Sequence, residues 1–241
     1  MAEVLITLGI IGTVAAMTLP SIIQKQHEKV AVTQLKKAYS ELSQAMSFAV
    51  NEDGTADTWN VYQYDSSGED SSIGGDSEGA VQRYEPHNLI KRLKVVKNCQ
   101  FKSQGCFIDG GYKMLGGGRE RNFETLNNQY YKIILSDGTA MAFEGYEPRL
   151  SSSEDRAYGE IWVDINGSKK PNVAGKDLFL FIYTKDRIYP YGYQKNNVPL
   201  SNTNCKLNSS GYDCTSWVLA HGNMDYLYCD DLSWKGKSKC K

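Results

Sequence analysis

The side chains with which this 241-residue chain could do covalent or metal chemistry are few: six cysteines and three histidines, with 28 acidic residues spread along it. The cysteines fall in three close couples, Cys99 and Cys106, Cys205 and Cys214, Cys229 and Cys240. None forms a CxxC or a Cys/His spacing of the kind that encloses zinc. Six cysteines can pair in many ways, but three local clusters predict three local bridges, each closing a short loop. A loop of that size gains up to about 3 kcal/mol from restriction of the unfolded chain, less if the bridge is strained. Disulfides persist outside a reducing cytosol, so the spacing also predicts an extracytoplasmic domain.

The histidines, His27, His87 and His221, have no nucleophile motif such as GxSxG beside them. There is no P-loop, and Gly116-Gly117-Gly118 is bare loop glycine without a dinucleotide fingerprint. Nothing meets the geometric requirements of an active site even in outline, so the expectation is a protein that is not an enzyme and carries no cofactor. One segment could hold a metal. Asp164, Asn166 and Asp177, with the residues between them, supply oxygens of the kind Ca²⁺ takes. The spacing is not that of an EF-hand, and Lys169, Lys170 and Lys176 oppose a cation. Asn-Gly and Pro-Asn are ordinary turn pairs, and a turn is the favoured reading over calcium.

What must position these residues is set by the hydropathy pattern. Lys+Arg is 27 against Asp+Glu 28, a net charge of -1, which argues against a dedicated nucleic-acid binder. Hydrophobic residues at 41% and charged residues at 23% exclude wholesale disorder. Residues 4–23, VLITLGIIGTVAAMTLPSII, contain no charged side chain. At about 1.5 Å per residue that run matches a hydrocarbon core of about 30 Å. A core helix would carry a polar stripe, and a cleaved secretory signal would open with a basic region, whereas the early charge here is Glu3. A membrane-spanning anchor fits best. Glu3 would cost about 2.5–3.5 kcal/mol deep in lipid, and little in the headgroup layer.

The helix continues past the apolar run. Val32, Leu35, Tyr39, Leu42, Met46 and Ala49 recur at helical spacing along one face, and Asn51-Glu52-Asp53-Gly54 supplies a stop. The prediction is one helix of about 50 residues, about 75 Å long, weakened by Gly9 and Gly12 and kinked or loosened by Pro20. Its first half is lipid-like and its second half packs on a soluble domain.

Taken together, Ala2-Glu3-Val4-Leu5-Ile6-Thr7-Leu8-Gly9-Ile10-Ile11-Gly12 and Ala15-Ala16-Met17-Thr18-Leu19-Pro20 resemble the N-terminus of type IV pilins and of the pseudopilins of type II secretion. The resemblance covers about 25 residues closely, plus the plan of a long helix followed by a β-domain. The family has a short basic leader ending in Gly, then Phe-Thr and an apolar residue; this sequence begins at a residue matching that apolar position. The resemblance implies that prepilin peptidase and pilus assembly machinery act on the chain. It implies an inner-membrane precursor that becomes a subunit of an extracellular pilus or a periplasmic pseudopilus, with itself or other pilins as partners. Glu3 would neutralise the N-terminal amine of a neighbouring subunit, and Gly9, Gly12 and Pro20 would let the helix melt locally during packing. Lys25, Lys29, Lys36 and Lys37 would by the positive-inside rule hold the large domain in the cytoplasm, and a basic leader would reverse that. The cysteines favour the oxidising side. The other class of function compatible with these residues is an anchored extracytoplasmic binding or adhesion protein that never polymerises.

The remaining segments predict an α+β fold, a pilin-like antiparallel β-sheet domain under the long helix with a disulfide-stapled C-terminal region. Five divisions follow: a hydrophobic transmembrane or polymerisation half (1–24), an amphipathic half (25–53), an exposed loop and short helix (54–98), the sheet domain (99–200) and a cysteine-rich end (201–241). Residues 53–80 hold seven acidic residues and no Lys or Arg, and read as a solvated surface segment. Leu89, Ile90, Leu93 and Val96 suit a short helix with Pro86 at its start. Cys99 and Cys106 follow in a tight loop. Residues 130–135, then Ser136-Asp137-Gly138, then residues 139–143 give a strong hairpin signal. Residues 161–165, 178–183 and 187–189 read as further strands, and the absence of crossover helices makes the sheet antiparallel. Trp217, Met224, Tyr226 and Trp234 lie between the last cysteines, where buried packing is favoured over partner contact.

Overall fold

The computed structural model describes residues 2–59, 86–101, 104–118, 121–125, 130–145, 157–192 and 205–240, apart from the side chains of residues 2–5 and His87. Most of the acidic stretch, residues 60–80, lies outside the described residues, as do residues 81–85.

A single helix, α1 (Ala2–Asp53), opens the chain and contains Pro20. At 52 residues it is about 78 Å long. It runs unbroken through Gly9, Gly12 and Pro20, although the proline ring removes the N–H that would bond the carbonyl four residues back. Nearby hydroxyls stay within the helix: Thr13, Thr18 and Ser21 donate to the carbonyls of Ile10, Val14 and Thr18, each at 2.9 Å. These exposed hydroxyls are thereby satisfied within the helix, as an apolar medium would require.

Six strands follow: β1 (Val95–Gln100), β2 (Tyr131–Leu135), β3 (Ala140–Gly145), β4 (Gly159–Asp164), β5 (Leu178–Tyr183) and β6 (Ile188–Pro190). They pair in sequence order, every neighbour antiparallel, so the sheet is a simple meander. The hairpin between β2 and β3 closes with Gly138 N–H on Leu135 O at 2.9 Å. Gly138 sits at φ 89°, a conformation glycine adopts without steric cost.

Strand alternation sends one set of side chains to each face. Ile133, Met141, Val163 and Phe179 are register partners in turn across β2 to β5, as are Phe143, Ile161 and Phe181 across β3 to β5. These are buried under the second half of α1, against Val32, Leu35, Leu42, Met46 and Ala49. The helical spacing therefore marks the true contact face; Ala38 and Ala45 complete it, and Tyr39 stacks on Phe181 with ring centroids 5.7 Å apart. Lys37 Nζ donates to Asp137 Oδ2 at 2.5 Å, tying the helix to the β2–β3 turn.

The opposite face carries Ala140, Ala142, Trp162, Leu178 and Leu180, covered by Phe107, Tyr112 and Phe123 from the segment after β1. Glu124 holds that cover down. It accepts from Gly105 N (2.9 Å) and Phe107 N (2.7 Å) and lies 3.8 Å from the buried Lys132. Burial lowers the Lys132 pKa, and Glu124 opposes that shift.

Three expectations are corrected. Val96 belongs to β1, not to the short helix, which is α2 (His87–Ile90), and Val96 is 66% exposed. Cys99 likewise lies in β1, so a boundary at residues 98 and 99 cuts through a strand that is hydrogen-bonded to β2. Residues 53–59 are also not merely solvated. Ala56 and Trp59 are buried, Asp57 pairs with Lys185 at 2.9 Å, and Asp53 pairs with Lys91 and Arg92 at 2.7 and 2.8 Å. The C-terminal helix α3 (Cys214–His221) shares the main core, since Cys214, Trp217 and Val218 cluster with the α1 and β5 side chains.

Candidate functional site

The feature that distinguishes this molecule is what α1 does before it meets the domain. Ile6, Leu8, Ile10, Ile11, Val14, Met17, Leu19, Ile22 and Ile23 are all exposed, Met17 by 81%. This stretch is long and apolar enough to cross a membrane, and none of it is buried against the protein. An apolar surface of that extent requires lipid or other protein around it. Gly9 and Gly12 lie within it, and a Cβ added to either would meet nothing within 4 Å. Packing inside the chain therefore does not demand glycine at these positions. Glu3 lies in the first turn of α1, and its side chain is outside the described residues.

The three disulfides join the couples the spacing predicts: Cys99–Cys106, Cys205–Cys214 and Cys229–Cys240, and no described cysteine is free. The first anchors the cover of the second sheet face, the second ties α3 to the preceding loop, and the third closes the C-terminal end. His221 packs between Trp217 and Trp234, ring centroids 4.1 and 5.1 Å away, and burial lowers its pKa.

The oxygen-rich segment is consumed by its own turn. Asp177 accepts from the backbone N–H of Asn172 (2.6 Å) and Val173 (2.7 Å). Asp164 accepts from Asn166 N (3.0 Å) and from the hydroxyl of Tyr112. With its amide turned to donate, Asn166 serves Asp164 Oδ1 at 3.0 Å and the carbonyls of Gly167 and Lys169 at 3.1 Å. N–H and O–H donors thus meet the oxygens that a cation would need. Burial pushes the Asp164 carboxyl up to about 7, against the Tyr112 hydrogen bond, and burial also raises Asp177. Among the described residues no three His, Cys, Asp or Glu side chains cluster as a metal site.

Where α1 leaves its apolar half, a groove of about 740 Å³ opens between the helix and the domain. Pro20, Ile23, His27 and Ala31 form the helix wall, Ile165 and Lys169 one bank, and Met224 and Leu227 the other. Tyr228 donates to Glu28 Oε1 and pins the C-terminal end to the helix there. Partial burial and then Glu28 push the Tyr228 hydroxyl up to about 12. No sequence signal marks this groove, because three segments far apart in the chain build it.

Searches of curated proteins and of solved structures return no match. A family model described as a family of unknown function (DUF6613) matches residues 21–235, and the chain belongs to that family.

Proposed function

We propose that this chain is a structural subunit of a type IV pilus or pilus-like filament, assembling through the apolar half of α1. One observation carries the reading. A continuous 52-residue helix has a first half whose described large apolar side chains are exposed and a second half that forms the wall of the domain core. The sequence around Glu3, Gly9, Gly12 and Pro20, which resembles the pilin N-terminus, supports the same reading. So do the three disulfides, which suit an extracytoplasmic domain. In this account the helix rests in the inner membrane before assembly and among the helices of neighbouring subunits afterwards. Glu3 offsets the amine of a neighbour, a buried pair whose value is in fixing register. The function is mechanical, and no catalytic role is assigned.

The exposed half would be covered equally well by lipid alone, which favours one other reading, an anchored extracytoplasmic binding protein that does not polymerise. Glu3→Ala separates the two. The filament account predicts that this variant folds with an unchanged melting temperature and yields no sedimenting filaments. Filaments of normal yield and length would contradict the role of Glu3. Extraction of the wild-type chain by mild detergent, with none in filaments, would leave the anchored protein as the account.

A further inference from the structure

We propose that the groove under residues 20–34 of α1 holds one anionic phospholipid of the membrane in which the helix is anchored. This rests on the apolar half of α1 lying in a membrane, whether or not the chain later polymerises. The groove starts at Pro20, in the last turns of the apolar run, so its upper end meets the hydrocarbon boundary. It extends along the helix to Gln34, 14 residues further, or about 21 Å. That is the length of an extended acyl chain. Ile23, Ala31, Ile165, Met224 and Leu227 give it apolar walls.

The rim is basic. Lys169, Lys170 and Lys176 line the groove. Among the described residues, none of these three ammonium groups has a carboxylate within 4 Å. The groove carboxylates are already engaged: Asp177 by two backbone N–H groups, Glu28 by the Tyr228 hydroxyl. The lysines that disfavour calcium in this loop are therefore free for a phosphate. Charge and shape together select a lipid with a net negative headgroup over a zwitterionic one.

The test uses the full chain, delipidated in dodecyl maltoside and offered phosphatidylglycerol or phosphatidylcholine, with retained lipid counted by native mass spectrometry. The expected result is one phosphatidylglycerol per chain, retained at least about ten-fold over phosphatidylcholine, by the charge difference of the headgroups. The triple variant Lys169→Gln, Lys170→Gln, Lys176→Gln loses that preference, and the corresponding triple Arg variant keeps it. Ile23→Trp, which crowds the groove from an exposed helix position, loses the bound lipid with the melting temperature held. Equal retention of both lipids, or a preference unmoved by the Gln variant, overturns the proposal. Carbonate extraction of membranes carrying the full chain is run in parallel. A chain that stays in the membrane yet retains no phosphatidylglycerol sinks the lipid site alone; a chain that is released sinks the anchor reading and the site with it.

Discussion

The two halves of α1 have the same backbone and opposite environments. In residues 32–49, the apolar positions on one face are buried, or half-buried at Tyr39, and the other face is polar apart from the exposed Phe48; in residues 6–23, apolar side chains point outward all round. A helix at a domain surface meets protein on one side and water on the other, so its sequence must carry a period. A helix surrounded by one kind of neighbour needs none. The contrast teaches that the second half contributes its apolar face to the domain core, while the exposed apolar side chains of the first half add nothing to it. Pro20 fits that division. It costs the helix a hydrogen bond at the point where one environment gives way to the other.

Substitutions can break this comparison, and the largest effect is expected inside the domain. Leu42→Ala, at a fully buried position against the sheet, should lower unfolding free energy by about 2–5 kcal/mol in urea titration of the detergent-solubilised chain. The same truncation at Ile11 should stay within about 0.5 kcal/mol, since the side chain touches no core. Comparable losses at both sites would mean that the first half folds back onto the domain.

Next in size are the disulfides. Replacing Cys205 and Cys214 with Ser should cost up to about 3 kcal/mol from the opened loop alone. Cys214 is fully buried beside Trp217, so the core suffers as well. The Cys229–Cys240 pair, half-buried at the end of the chain, should cost less. Unfolding curves of the two double variants check that order; the reverse order would place the C-terminal end, rather than α3, at the centre of stability.

A smaller, graded effect should appear with pH, and only in the domain. The folded Asp164 carboxyl holds its proton up to about pH 7, while the unfolded one releases it near the ordinary value of 3.8. Between those values the folded state binds the extra proton, so stability is greatest at the acid end and falls as pH rises toward about 7. Above that it is level for this group. Asp164→Asn, which keeps an acceptor for Asn166 N, should flatten the decline. An unchanged slope in the variant would assign the pH dependence to other carboxyls, Asp177 first.

The sequence made the helix face, the β2–β3 hairpin and the disulfide couples legible because each is local, a period, a turn signature or a spacing. β1 was not, because VVKNCQ is an edge strand whose side chains are mostly exposed, leaving Val96, Lys97 and Asn98 without the alternation that marks a strand. The second sheet face was equally hidden. Phe107, Tyr112 and Phe123 cover it from irregular backbone, where aromatic residues follow no period, and Glu124 with Lys132 reads as scattered charge until the fold buries it. Of the residues proposed for assembly, the sequence marks Glu3, Gly9, Gly12 and Pro20 only through the apolar run around them. The fold adds that the glycines face open space and that Pro20 heads a groove.

The most direct test of the central claim is to shear surface material from cells expressing the native gene, pellet it, and identify this chain by mass spectrometry alongside electron microscopy of the pellet. The account predicts the chain in filaments, with its apolar helix half protected from protease and its domain exposed. Recovery solely from the detergent-soluble membrane fraction, with no filaments in the pellet, would contradict it.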